Sequence, residues 1–321
     1  MKLITCLAPI LRLSVPLLFV ALSIFFAATA PGFLSTGNLL SVLVNNFVLL
    51  GICATSMTLA VAAGGIDLSV GTALDIASLS FVALLNAGAG FAIASLGALL
   101  TAALVGVFNA VLIAGLGISP FLATLGTLFI GTSMQQLLSS GGQPIYIADQ
   151  ARPGLSNISL FGLPFPLFWV AGVALVYGVL LARARLGREL LATGQQPVFA
   201  HYTGLPIRRL TATVSIACSA AVGLAGILLS SSVNGYVPLS GNGFLIQAIG
   251  AVFIGTTFSR QGRASVANTL LGVLFLNLIG NGLLLIGWNF YWQQVATGAL
   301  IFGVLIVSFG GRKLHGFSAK P

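Results

Sequence analysis

AVAAGGIDLSVG, residues 60–71, breaks a long apolar run with two glycines and an aspartate and then returns to apolar sequence. Gly64 and Gly65 tolerate the left-handed or extended backbone with which helices end. Asp67 stands where an N-cap belongs, ahead of Leu68-Ser69-Val70. From there its carboxylate can accept from the orphan amides of a new helix and meet the positive end of its dipole. The stretch reads as a helix stop and restart. Either it is a capped turn between two helices, or its polar groups serve as a gate.

The rest of the chain says what surrounds this break. Of 321 residues, 58% are hydrophobic and 5% charged, against about 25% charged in soluble domains. So little polar surface cannot coat a globule, and the excess has to face lipid. The segments are apolar all round rather than alternating, which favours helices over a barrel. The expected class is an all-α integral membrane protein. The net charge of +9 is accounted for by basic cytoplasmic loops; no basic stripe interleaved with aromatics calls for nucleic acid. Cys6, Cys53 and Cys218 are scattered and make neither a disulfide framework nor a metal motif. Lys2 and Arg12 ahead of an apolar run, with Ala28-Thr29-Ala30, resemble a signal peptide. Pro31 and the length of the run favour an uncleaved first span.

Breaks at Gly, Pro, Asn and charge divide the chain into about ten spans. They lie near 10–31, 39–63, 68–86, 91–115, 119–138, 164–184, 210–231, 243–258, 265–286 and 289–309, within one polytopic domain covering 1–321. With the N-terminus in the cytoplasm and alternating crossings, Lys2, Arg12, Arg183, Arg185, Arg188, Arg208, Arg209, Arg260, Arg263, Arg312, Lys313 and Lys320 fall inside. Of the 13 Lys and Arg, Arg152 alone falls outside. An N-in, C-in orientation follows, with the Gly-Asp break near the cytoplasmic edge. The outer stretch 139–163 is a linker between halves or a docking surface. An internal echo aligns Asn109 with Asn281, Gly115 with Gly287, Gly126 with Gly298 and Gly131 with Gly303. It lays spans 4–5 over spans 9–10, which enter the membrane from opposite sides. That suggests an inverted repeat of spans 2–5 and 7–10.

Polar groups inside the spans are the candidates for a pathway or gate: Asn45, Asn46, Gly64, Gly65, Asp67, Ser69, Asp75, Asn109, Asn277 and Asn281. Asp75, two turns into the third span, has to face a wet cavity or a helix that offers donors; a cavity is the favoured reading. Each asparagine can equally be interhelical glue.

On the cytoplasmic side, the loop 185–209 is rich in arginine. Pro197 suits a first helical position and Gly204 a left-handed stop, with a short helix between them. Val198, Phe199 and Tyr202 give that helix an apolar face fit to plug a groove on a partner. His201 is a plain solvated histidine or a pH-sensitive contact. The arginines are topology determinants or partner contacts.

MTLAVAAGGIDLSVG (57–71), with Asn46 and Gly51 upstream, resembles the hallmark segment of bacterial ABC-importer permeases of the ribose/simple-sugar type. TGQQPVFAHYTGLPIRRL (193–210) resembles the loop through which such permeases engage their ATPase. The C-terminal block resembles theirs in Ile254-Gly255-Thr256-Thr257, Gly262-Arg263, Asn281-Gly282 and Tyr291-Trp292-Gln293-Gln294. The chain departs from the pattern in three places. Val198 and His201 stand where glutamate and arginine are usual, Leu245 where glutamate follows glycine-aromatic, and Asp75 where a small or apolar residue is usual.

The resemblance implies a permease subunit in the bacterial inner membrane that carries a small neutral polar solute, such as a monosaccharide. It implies a cytoplasmic ABC ATP-binding subunit, a periplasmic solute-binding protein and a second permease subunit, identical or not, all set among membrane lipid. The ATPase-coupling residues would be Gln196, Pro197, Val198, Phe199, His201, Tyr202 and Gly204. No GxxxxGK[ST] occurs, and neither a catalytic triad nor a metal site can be assembled, so no enzyme activity or cofactor is expected of this chain. The rival reading is an ion-coupled secondary transporter or channel, with Asp75 as its protonatable group; a non-transporting scaffold is a third.

Overall fold

The structure is a computed structural model that describes residues 2–153, 155, 158–259 and 262–318; Arg260 and Lys320 lie outside the described residues. It is almost wholly helical. The elements are α1 (Lys2–Thr29), α2 (Thr36–Ala62), α3 (Val70–Asn86), α4 (Phe91–Gly115), α5 (Pro120–Leu138), α6 (Pro166–Arg183), α7 (Arg185–Gln195), α8 (Pro197–Tyr202), α9 (Ile207–Val233), α10 (Ser240–Phe258), α11 (Val266–Leu285) and α12 (Phe290–Ser318). Among the described residues, α2, α4, α5, α6, α9, α10 and α11 are long and apolar enough to cross a membrane by length and composition. α3 and the Val15–Thr29 part of α1 are shorter apolar helices. This is a multi-pass membrane protein.

α2 is the central column. From Val48 onward every residue to Ala60 is buried, and Ala62 with them. α4 shows how its neighbours are sorted. Its buried face is a ladder of small residues, Ala94, Ala98, Ala102 and Gly106, ending in Asn109. Ile93, Leu96, Leu100 and Leu104 point outward. Lipid is as apolar as leucine, so large side chains gain nothing by facing inward; small ones let backbones approach and harvest dispersion contacts. A Cβ on Gly106 would sit 2.6 Å from the Ser215 carbonyl oxygen of α9, and one on Gly255 of α10 would sit 2.7 Å from that of Asn268 in α11. Hydroxyl pairs add cross-helix bonds, Thr58 to Thr269 at 2.8 Å and Ser78 to Ser230 at 2.6 Å.

One motif occurs twice. α2 and α9 are both 27 residues long. Each runs into a short non-helical break, and each break carries Leu-Ser, Leu68-Ser69 and Leu239-Ser240, where the next helix begins. Those two helices, α3 and α10, meet start to start. A Cβ on Gly71 would lie 2.8 Å from the Gly241 carbonyl oxygen, and one on Gly241 would overlap Gly71 backbone in turn.

The stretch 139–163 is stitched to the bundle. Its β1 (Ile145–Tyr146) pairs antiparallel with β4 (Gly235–Tyr236) in the second break. The Asn86 amide at the end of α3 donates to the Tyr146 carbonyl and accepts from the Ala148 amide. β2 (Ser159–Leu160) and β3 (Leu163–Pro164) form a small hairpin ahead of α6.

Gly241→Ala should cost about 1–3 kcal/mol through overpacking. Gly243→Ala, whose Cβ meets nothing within 4 Å, should be neutral or gain up to about 1 kcal/mol of helix propensity. Thermal unfolding in detergent checks both; equal melting temperatures would contradict the close contact.

Candidate functional site

The first break is built as a polar chain. The Asp67 carboxyl oxygen Oδ1 accepts from the Ser69 amide at 2.8 Å and from the Ser69 hydroxyl at 2.5 Å. The Asn109 amide donates to Ser69 Oγ at 2.7 Å, and Thr127 Oγ1 donates to Asn109 Oδ1 at 2.6 Å. All four side chains are buried. Thr124 extends the group from α5 to the Ile66 carbonyl. This differs in detail from a simple N-cap at Asp67. α3 begins at Val70, its N-cap residue is Ser69, and the carboxyl group closes a two-residue turn ahead of the helix instead of reaching into its first turn. Ser69 occupies the cap position with backbone already helical, so Asp67 is two residues too early to cap.

Beside this chain lies a cleft of about 70 Å³ lined by Ala60, Ala63, Gly64, Gly65, Ile66, Asp67, Ile113, Pro120, Thr124, Thr211, Val214 and Ser215. Gly64 has φ +85°, which a side chain would resist. The cleft joins the end of α2, the start of α5 and the N-terminal part of α9. Its polar lining is neutral hydroxyl and backbone, apart from Asp67, whose Oδ1 is occupied by Ser69.

Asp75 does not open on this cleft. It is fully buried, and its Oδ1 accepts the Gly241 amide of α10 at 2.9 Å. The cavity expected beside it is replaced by the start of another helix. α10 needs that partner because its own N-cap, Leu239 at φ +65°, has no side chain able to cap. Gln135 of α5 supplies a further acceptor: its Oε1 takes the Leu239 amide at 2.9 Å and the Tyr236 hydroxyl at 3.2 Å. Asp75 and Gln135 thus cap in trans a helix that carries no cap of its own. Asp75 Oδ2 and Thr72 Oγ1, one turn apart, are buried without a hydrogen-bond partner.

The remaining asparagines do not join either group. Asn281 pairs reciprocally with Asn38, two bonds of 2.9 Å, as interhelical glue. Asn45 and Asn46 are exposed in a wide π-helical turn at 42–47, with Asn45 bonded to Ser41. Asn277 is buried with its amide nitrogen unpartnered. The structure therefore brings together Gly64, Gly65, Asp67, Ser69 and Asn109, adds Thr124 and Thr127, and sets Asp75 apart with Gln135, Tyr236 and Gly241. Gln135 and Tyr236 carried no periodic or motif signal that would have singled them out.

On the other side of the break, the arginine-rich loop holds more helix than expected. α7 is an amphipathic helix braced by Arg185 Nε donating to Glu189 Oε1 at 2.7 Å. Leu190 and Gly187 face inward. Gln196 alone separates it from α8, which Pro197 opens and Gly204 at φ +74° follows. On α8, Ala200 is buried whereas Val198, Phe199 and Tyr202 are 69%, 64% and 83% exposed. His201 is exposed too.

Asp75→Asn keeps an acceptor for the Gly241 amide and should stay within about 1 kcal/mol of the native protein. Asp75→Leu leaves that amide buried and unpaired and should lose about 1–3 kcal/mol. Denaturation in detergent ranks the two; a Leu variant as stable as the Asn variant would refute the trans cap.

Comparison with known proteins bears on the family. The family model described as "Branched-chain amino acid transport system / permease component" matches residues 38–306. The chain is 32% identical over 282 residues to the autoinducer 2 import system permease protein LsrD of Photorhabdus luminescens, covering 86% of this chain and 84% of that one. It is 30% identical over 292 residues to the D-allose transport system permease protein AlsC of Escherichia coli K12, covering 90% and 88%. No solved structure gives a significant match. The chain belongs to this family of ABC-importer permease components.

Proposed function

We propose that the chain forms half of the translocation pathway of an ATP-driven importer in the bacterial inner membrane, and that its solute is a monosaccharide or a molecule of like size and polarity. The observation that carries the choice of solute is the chemistry of the cleft at the first break. The family description speaks of branched-chain amino acids, whereas the two relatives are named for autoinducer 2 and D-allose. An amino acid brings a carboxylate and an ammonium group, and a dry site has to match both. Neither Lys, Arg nor His lines the cleft. Hydroxyls of Thr124, Thr211 and Ser215 with glycine backbone suit a neutral, polyhydroxyl solute, which loses its water to such groups without needing a counter-charge.

In this reading the chain crosses the membrane ten times with both ends in the cytoplasm, as two inverted sets of helices, spans 2–5 and 7–10. Gly64, Gly65, Asp67, Ser69 and Asn109 make the gate, and Asp75 holds the two sets together. A second permease subunit completes the pathway, and a periplasmic binding protein delivers solute to the outer face. α8 inserts Val198, Phe199 and Tyr202 into a cytoplasmic ATP-binding subunit. Three large apolar side chains left exposed on a helix of six residues are the kind of knob that a partner groove covers. Access then alternates as the ATPase pair closes and opens.

Three measurements test this. Phe199→Asp with Tyr202→Asp should abolish co-purification of the ATP-binding subunit while leaving the permease folded; retention of the partner would refute the docking role. Single cysteines replacing Arg188 and Arg209 should react with impermeant maleimide only from the cytoplasmic side, and one replacing Arg152 only from the outside. In liposomes, the permease alone should accumulate nothing; uphill uptake driven by protons or sodium without a second subunit would favour an ion-coupled transporter.

A further inference from the structure

The docking helix and the gate are joined by a contact between two glycines. Gly194, in the last turn of α7, lies on the break at Gly64. A Cβ on Gly194 would overlap the Ala62 carbonyl oxygen and come within 2.8 Å of the Gly64 amide nitrogen; one on Gly64 would come within 2.9 Å of Gly194 Cα. Backbone touches backbone here, with no side chain between to absorb displacement.

Both sides of the contact are stiff. Gln196 connects α7 to α8, its amide donating to the Ala192 carbonyl at 3.0 Å and its own carbonyl accepting from Ala200 at 2.9 Å. One residue with extended backbone, at φ −142° and ψ 74°, thus closes α7 and opens α8. α7 is in turn held to α6, since a Cβ on Gly187 would meet the Leu181 carbonyl oxygen at 2.6 Å. On the far side, Gly64 and Gly65 are tied to the end of α2 by amide bonds of 3.0 Å to Val61 and Ala60 carbonyls, and Gly65 abuts Pro120 at the start of α5. Gly64, Gly65 and Pro120 all line the cleft. A push on α8 has a short route, through one connecting residue and a backbone contact, into the wall of the gate.

We infer that Gly194 and Gly64 form the transmission point between the ATPase-docking helix and the gate, so that α7 is a lever and not merely a connector. These are positioning residues, and the inference rests on the importer reading given above. The close approach at this point requires both glycines, and a chain of rigid elements with two arrangements is what carries coupling between sites.

The test uses the complete complex of permease, ATP-binding subunit and binding protein in liposomes, with uptake and ATP hydrolysis measured on the same sample. Gly194→Ala should assemble and hydrolyse ATP, yet move about 10-fold less solute per ATP. A second variant inserts two glycines after Gln195. It leaves the Gly194–Gly64 contact untouched but loosens the joint to α8, and it should uncouple in the same way. A purely structural contact would lower assembly and hydrolysis together and leave the ratio unchanged. Normal solute-to-ATP ratios in either assembled variant would overturn the inference, as would failure of both variants to assemble, because the contact would then serve folding. If the native permease retained no ATP-binding subunit at all, the importer reading itself would fail, which is a separate result.

Discussion

Two helices that begin against each other set the central constraint. Every helix start presents unpaired amides and the positive end of a dipole. In a chain with 5% charged residues, there is little to neutralise two such starts in contact. α3 and α10 meet at Gly71 and Gly241, close enough that neither position admits a side chain. Asp75 resolves the problem for α10, and ahead of α3 the Asp67 carboxyl group stands beside the positive end of the dipole without bonding the first-turn amides. Two of the four acidic residues in the chain are spent here. The rest of the bundle can then be held by small-residue packing and isolated hydroxyl bonds, which supply contact area but little orientation.

The first break combines a bonded polar chain with backbone that carries no side chain. Its polar chain runs through Ser69, Asn109 and Thr127, and so through α3, α4 and α5. A buried network of this sort has few good geometries, and a partly broken one is costly. Packed interiors of that kind switch between discrete arrangements more readily than they deform. The glycines at 64 and 65 provide the complementary property, a backbone that can turn without a side chain to relocate.

Much of this was legible in the residues, for reasons that differ from element to element. Gly64-Gly65-Ile66-Asp67 announces a break because glycine and aspartate have local, sequence-readable consequences. Pro197 and Gly204 bracket α8 for the same reason. Trans capping by Asp75 was not legible, because its partner amide is 166 residues away and a backbone amide leaves no mark on the sequence. Asn281 offered a pathway candidate, but its side chain is consumed by Asn38, which no pattern had singled out. α7 was hidden by its charge. Read as an arginine-rich loop, it conceals Leu186, Leu190 and Leu191 on one face and the Arg185–Glu189 pair at a spacing of one turn, which together specify a surface helix.

The trans cap also bears on how the protein is made. Ribosomes add about 5–20 residues per second, so Asp75 leaves the ribosome roughly 8–30 s before Gly241, 166 positions later. Throughout that interval α3 carries a carboxyl group with no intended partner, a costly passenger in hydrocarbon. The first half of the chain is therefore an unfinished body during synthesis, whose settled place in the bilayer waits on the second. A truncated product ending before residue 240 lacks the amide that Asp75 Oδ1 accepts.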